Sequence, residues 1–326
     1  MIIRRIILLL PTLLIVGLMV YFTGIFKSTA QQEREALMNF LQGENQMGIR
    51  AGQVEALLFD VQGKTGTRGR AFYIGGPFFI TAYHVVDKGK NLSLVRQARR
   101  GPVGGHHYKF EVAQFNRAHD VALLKASLFA EPIEFLPRLC EKVPEKGENV
   151  SLFIRLTKGN KKHSGYELEF GGADLYNKKK HVDFLGKLVL PPSSSLYEKQ
   201  GLVLRYDIKA LKLDKKSKND SKEWAQITKS KDLQYLTSIT AYQGESGSPV
   251  FVRSDRSYKV CGLLFAVRMT GQVIPTPAHP LNFYAHDRTV SFIIRPEAIK
   301  AIIKQYLVAP NSPEKLSAML DNQTNF

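Results

Sequence analysis

The feature that most restricts how this chain can fold is a long succession of short β-prone runs broken by Gly-, Asp- and Lys-rich turns. A first series covers 54–61, 71–74, 78–86, 92–95, 109–112 and 121–125. Strands this short and this closely spaced point to one β-barrel or sandwich. Residues 126–147 carry Pro132, Pro137 and Pro144 and read as an extended linker. A second series follows at 150–156, 165–170, 181–190, 202–207, 235–240, 248–252, 259–267 and 290–294. Residues 296–307 change period. Pro296 opens a pattern with Ile299, Ile302, Ile303 and Leu307 on one side, which predicts a C-terminal amphipathic helix. The 326 residues hold about two domains' worth of chain. The expectation is an all-β protein of two lobes.

The amino terminus has a different character. Residues 6–26 contain no charged side chain. As a helix they would extend about 31 Å, enough for a hydrocarbon core of about 30 Å. Arg4 and Arg5 precede the run and Lys27 follows it, favouring an N-inside orientation. Pro11 and Gly17 are tolerated in spanning helices. The expected element is an uncleaved signal anchor. A cleaved signal peptide, using Ser28-Thr29-Ala30 before Gln31, is the alternative, and a buried core helix is the plain one. Both membrane readings deliver the rest of the chain to the far side, which in a bacterium is periplasmic or extracellular. Residues 31–47 are polar, with Leu37, Phe40 and Leu41 at helical spacing, and read as a stalk helix. The expected layout is anchor or signal at 1–30, stalk at 31–53, first barrel at 54–130 and linker at 131–149. A second barrel with a basic loop and the terminal helix occupies 150–308, and 309–326 is a loose tail.

Three short segments carry chemistry. Ile80-Thr81-Ala82-Tyr83-His84-Val85-Val86 ends an apolar strand in a histidine. His119-Asp120-Val121-Ala122-Leu123-Leu124 sets an aspartate directly before a strand. Gly244-Glu245-Ser246-Gly247-Ser248-Pro249 places a serine in a glycine-rich turn. Each alone is a common structural pattern. Together they supply a base, an orienting acid and a nucleophile, in the order His…Asp…Ser. They resemble the chymotrypsin-like serine peptidases, and most nearly the bacterial trypsin-like and HtrA-like members, over roughly residues 54–307. The first matches the family's T-A-x-H-V-V, the second its D-[IV]-A-L-L, and the third its G-D-S-G-[GS]-P.

The resemblance implies a double β-barrel with the site in the cleft between barrels. It implies His84 as base, Asp120 as its orienting partner and Ser246 as nucleophile. The N–H groups of Gly244 and Ser246 would form the oxyanion hole. A serine hydroxyl is a weak nucleophile near neutral pH and needs such a base. Asp87 and His119 are weaker rivals with no motif behind them. Departures from the family pattern are visible. Glu245 stands where digestive members have Asp and no I-V-G-G start occurs, so no trypsin-type zymogen activation is expected; a solvated turn carboxylate is the plain reading. Tyr83 replaces a small residue before the histidine and would pack beneath the base or crowd it. Thr240 falls near the base of the primary pocket, which disfavours Arg or Lys specificity. Leu264 falls where glutamyl endopeptidases place a histidine, which disfavours Glu there. Phe265, Ala266 and Val267 would line the wall, consistent with an apolar or small aliphatic preference.

Charge and composition limit the rest. The formal charge of +17 suggests an anionic partner. Lysines cluster at Lys158/Lys161/Lys162, Lys178–Lys180 and across 212–223, read as an exposed loop that docks on an anionic surface or simply stays solvated. Nucleic acid is disfavoured because the clusters lack interleaved aromatics. His106-His107 beside Gly104-Gly105 reads as a hairpin loop without metal-binding company. Cys140 and Cys261 either pair or remain buried thiols. No PDZ domain fits after the terminal helix. The expectation is a membrane-tethered serine endopeptidase acting on protein or peptide substrates, with no cofactor and no metal. The rival is an inactive protease-fold module that uses its cleft and basic loop to recognise an anionic or protein partner.

Overall fold

The computed structural model describes residues 29–43, 49–64, 66–87, 89–96, 106–129, 133, 135–155, 196–204, 234–239, 241, 244–254, 257–269 and 289–309. The uncharged run at 6–26, the expected strands at 165–170 and 181–190, the lysine-rich stretch 212–223, Thr240 and the tail beyond 309 lie outside them. Among the described residues no helix is long and apolar enough to cross a membrane.

The first series forms strands β1 (Leu58–Gly63), β2 (Gly66–Gly75), β3 (Phe78–Ala82), β4 (Ser93–Arg96), β5 (His106–Asn116) and β6 (Val121–Ala126). They close into a barrel in the order β1-β2-β3-β6-β5-β4, with β4 pairing back onto β1. Closure leaves no open edge. Inside it Phe59 meets Phe79 edge-on at 4.8 Å, and Phe129 plugs the same cluster 5.2 Å from Phe79. Two expected strand stretches are helical instead. Residues 54–57 belong to helix α2 (Ala51–Leu57), whose start is fixed by the Arg50 N–H donating to Gln53 Oε1 at 2.8 Å, and which buries Val54 and Leu57 one turn apart. Residues 83–86 form the single turn α3 (Tyr83–Val86). The strand stops there because Asp120 offers its own oxygens to the next two N–H groups, as described below. His106 and His107 lie in β5 rather than in a loop, and His107 Nδ1 is 3.2 Å from Ser93 Oγ.

Helix α1 (Thr29–Gln42) is docked on this barrel and is not a free stalk. Leu37 and Phe40 are fully buried, Phe40 lies 6.2 Å from Phe72, and Glu33 Oε2 pairs with Lys125 Nζ at 2.9 Å. The apolar spacing that announced a helix is therefore also its docking face.

The second series gives β7 (Arg138–Leu139), β8 (Asn149–Arg155), β9 (Leu196–Leu202), β10 (Gln234–Thr237), β11 (Pro249–Ser254), β12 (Ser257–Met269) and β13 (Thr289–Ile294). The path runs β10-β13-β12-β11-β8-β9, with the short β7 added beside β12. Its two ends meet through a bridge between Val203 and Thr237. Leu204 N–H donates to Leu236 O at 2.8 Å and Ser238 N–H to Leu202 O at 3.0 Å, so the sheet curls into a second, barrel-like unit. Cys140 and Cys261 form a disulfide across 121 residues, tying the linker to β12, with Cα atoms 4.9 Å apart. Helix α4 (Pro296–Val308) leaves β13 and returns to the first barrel, where Tyr306 lies 5.4 Å from Phe78. Burying Ile299, Ile302 and Ile303 contributes about 1.5–3 kcal/mol each before entropy.

Candidate active site

Three of the sequence-selected side chains are presented where the two β units face each other. His84 sits on the one-turn helix α3 that ends β3. Asp120 sits in the turn directly before β6, the strand paired with β3 through Ala82 and Val121. Its φ is +51°, the left-handed region that Asp tolerates better than most residues, at about 1 kcal/mol or more. That conformation lets one residue serve two consecutive N–H groups. The main-chain oxygen of Asp120 accepts from Tyr83 N–H at 2.9 Å, and Oδ1 accepts from His84 N–H at 2.8 Å. The remaining carboxylate oxygen, Oδ2, lies 2.6 Å from His84 Nδ1. With Asp120 ionised, a neutral imidazole in this position carries its hydrogen on Nδ1, toward the carboxylate, and leaves Nε2 as the acceptor.

The environments of the pair differ. Asp120 is 1% exposed, whereas the imidazole is 42% exposed. Burial pushes the Asp120 carboxyl above the usual aspartate range, and the hydrogen bonds from His84 oppose that rise without cancelling it.

The serine arrives on the loop before β11. Gly244 and Gly247 flank it with φ of +92° and +84°, conformations that L side chains rarely adopt. The turn is pinned from both sides by main-chain bonds. Arg70 N–H of β2 donates to Ser246 O at 2.8 Å, and Gly247 N–H donates to Leu264 O of β12 at 2.8 Å. Thr81 Oγ1 donates to Arg70 O at 2.6 Å, and a Cβ on Gly247 would overlap that carbonyl. Hence the serine turn rests directly on the strands that lead to His84. Among the described residues no protein acceptor takes the N–H of Gly244 or Ser246. The Ser246 hydroxyl lies 3.4 Å from Phe265 O, a long contact for an O–H···O bond.

The expected pocket residues divide. Phe265 is at the site: its ring lies edge-on to the imidazole at 5.8 Å and is 4% exposed. A register shift in β12 between Leu264 and Ala266 leaves Phe265 as the extra residue of a bulge, the device that re-aims side chains beside sites. Leu264, before the bulge, points elsewhere. Its side chain is buried in the second core with Val150, Leu152 and Ile293, and half-buried Val267 packs against that core too. Leu264 contributes main chain instead, accepting from Gly247 and donating N–H to Ser248 O at 2.9 Å. Thr240 lies outside the described residues.

Glu245 is buried, 6% exposed, and is not a solvated turn carboxylate. The ring of Tyr83 stacks on Phe115 at 4.8 Å and 17°. Asp87 Oδ1 accepts from Tyr83 Oη at 3.2 Å, a contact within the turn. His119 N–H donates to Asn116 Oδ1 at 3.1 Å, and burial lowers its pKa. Sequence reasoning missed Arg70 and Thr81. The signal was an arginine inside an apolar strand: Arg70 is 6% exposed and donates Nη1 to Phe153 O of β8 at 3.1 Å, joining the two units. Among the described residues no cluster of three metal-ligating side chains occurs.

No family model matches the chain, and no curated protein matches it. Solved structures do. Rv3671c from M. tuberculosis H37Rv, a mutant in inactive form, is 12% identical with TM-score 0.43, covering 80% of this chain and 92% of that one. The active form of the Rv3671c protease is 12% identical with TM-score 0.43, covering 80% and 85%. The MamO protease domain from Magnetospirillum magneticum is 14% identical with TM-score 0.43, covering 76% and 96%. These are likenesses at low identity.

Proposed function

We propose that the protein is a serine endopeptidase. His84 is the general base, Asp120 orients it, Ser246 is the nucleophile, and the N–H groups of Gly244 and Ser246 form the oxyanion hole. The observation that carries this reading is the double attachment of His84 to Asp120, by side chain at 2.6 Å and by main chain at 2.8 Å. A carboxylate that only stabilised the turn would need the main-chain bond alone.

Ser246 Oγ attacks the substrate carbonyl carbon while His84 Nε2 takes the hydroxyl proton. Negative charge collects on the former carbonyl oxygen, facing the two N–H groups; one such donor is worth about 3 kcal/mol of barrier. The C–N bond breaks as the imidazolium returns its proton to the leaving amine. Water then repeats the sequence on the acyl-enzyme, and the acid product leaves with Ser246 restored. Asp120 stays ionised throughout and stabilises the imidazolium.

The rival, an inactive binding module, draws on one observation: the Ser246 hydroxyl faces the Phe265 carbonyl. That contact, at 3.4 Å, is weak enough to be exchanged for the imidazole at little cost. We also propose that the catalytic part works outside the cytoplasm, tethered by residues 6–26 or released after their removal. The uncharged run and the Cys140–Cys261 disulfide, a bond favoured in oxidising compartments, support this.

Incubation of the purified protein with casein tests the activity. Internal cleavage seen by mass spectrometry, and abolished in Ser246→Ala, is expected. Intact casein after prolonged incubation with well-folded protein would favour the binding module.

A further inference from the structure

Helix α1 has a direction on the first barrel. Ala36 lies against the turn at Gly75 and Gly76 that closes β2, and Phe40, one helical turn later, lies 6.2 Å from Phe72. Gly75 pairs with Phe78 and Phe72 with Ile80. The step from Ala36 to Phe40 therefore follows β3 from Phe78 toward Ala82. Beyond Ala82 come His84 and, on the paired strand, Asp120. At the other end Glu33 pairs with Lys125 of β6, the register partner of Phe78. Thus α1 points from one end of the barrel to the end that carries the catalytic pair. The helix rises about 10 Å from Thr29 to Ala36, and β3 advances about 13 Å from Phe78 to Ala82.

The start of α1 is also where the amino-terminal run must arrive. Residues 6–26 carry no charge, and only Lys27 and Ser28 separate Phe26 from Thr29. Three residue steps extend at most about 11 Å. The helix is held on the barrel by fully buried Leu37 and Phe40 and by the Glu33–Lys125 pair. A tether this short, on a helix docked this firmly, selects which end of the barrel meets the bilayer.

The surface at that end suits the contact. Among the described residues the two exposed large apolar side chains are Leu128, 86% exposed, and Val308, 82% exposed. Scattered singly, such residues are ordinary. Here both lie at the end where α1 begins. Leu128 is three residues past Lys125, directly after Ser127, whose N–H donates to Lys109 O at 2.9 Å. Val308 ends α4, two residues past Tyr306. The Tyr306 ring meets Phe78 at 5.4 Å, and the charges of Lys125 and Glu33 act on its hydroxyl.

We propose that this end of the first barrel, with Leu128 and Val308, rests on the headgroup boundary of a lipid bilayer and holds the His84–Asp120 pair at the opposite end. The assignment rests on the tether reading, with residues 6–26 retained as a spanning segment. Its consequence is a substrate class. The scissile bond lies in water-exposed polypeptide, roughly 20 Å clear of the lipid. Bonds at or within the membrane surface are out of reach.

The test uses the full chain in phosphatidylcholine–phosphatidylglycerol vesicles. Its two cysteines are joined in the disulfide, so one introduced cysteine takes a bimane label alone. Leu128→Cys, Val308→Cys and Ala118→Cys carry the label in turn; Ala118 is exposed and two residues before Asp120. Nitroxide-bearing lipid should quench the first two at least about threefold more than the third, as for side chains that enter the boundary by about 5–10 Å. Equal quenching at all three, or the strongest at Ala118→Cys, overturns the proposal. So does the absence of quenching in a chain that floats with the vesicles. Flotation reports the tether separately. A full chain that does not float sinks the tether reading and this proposal with it, whereas flotation with the wrong quenching pattern sinks the orientation alone.

Discussion

The two β units hold their parts of the site in different ways. The first barrel is closed by strand pairing all round, and His84 and Asp120 project from adjoining ends of two of its paired strands. The second unit is closed by a bridge and two flanking main-chain bonds, is crosslinked by a disulfide, and offers Ser246 on a turn outside its strands. The acid–base pair is therefore fixed by local register. The Ser246 turn is held by one bond from the first unit, Arg70 N–H to Ser246 O, and one within its own unit, Gly247 N–H to Leu264 O. The lesson is that the pair should survive damage to the second unit, whereas the nucleophile should not survive damage to either.

The largest expected effects separate chemistry from structure. Ser246→Ala or His84→Ala should lower kcat by about 10⁴-fold or more with little change in melting temperature. Unfolding of either variant would show that these residues hold the fold and not the reaction.

Next comes the contact between units. Gly247→Ala sets a Cβ against Arg70 O at a φ of +84°, so the turn must move. Activity should fall about 100-fold, the scale set by small misplacements of reacting groups. A Gly247→Ala enzyme of normal kcat would mean that the Arg70–Ser246 bond does not position the nucleophile.

The disulfide sharpens the contrast in stability. Closing a loop of 121 residues is worth at most about 5 kcal/mol by chain entropy. The double variant Cys140→Ser/Cys261→Ser should lose about 2–5 kcal/mol in urea unfolding. Hydrogen exchange should rise mainly in β11 and β12 and least in β3 and β6. A uniform rise would show that the two units unfold as one.

The smallest effect is electrostatic. Burial raises the Asp120 pKa, so between the ordinary aspartate range and that raised value the native state holds more protons than the unfolded one. The slope of stability with pH is then negative for this residue, and its unfavourable contribution grows as pH rises. Asp120→Asn removes the titration. Its melting temperature should gain on the parent protein as pH rises from acid to neutral, while its activity falls through the wrong imidazole tautomer. A gap independent of pH would contradict the burial argument.

Much of the first unit was legible because its strands alternate with sharp turns and its motifs sit at strand ends. The boundaries failed at 54–57 and 83–86, where β-prone valines lie in helical turns. A capping side chain decided the first, and hydrogen bonds from Asp120, 36 residues away, decided the second. The packing of Leu264 and Val267 in the second core was not legible, because a bulge leaves Phe265 without a register partner and counting along a strand cannot detect an extra residue. The docking of α1 was half visible. Leu37 and Phe40 announced a helix, but nothing local names Phe72 as the partner.

The central claim is that His84 draws the proton from Ser246. The rate at which a fluorophosphonate modifies the protein, with the adduct located by mass spectrometry, measures that most directly. The account predicts an adduct on Ser246, formed at least about 100-fold more slowly in His84→Ala, the lower range for general-base assistance. An adduct elsewhere, or a Ser246 rate indifferent to His84→Ala, would contradict it.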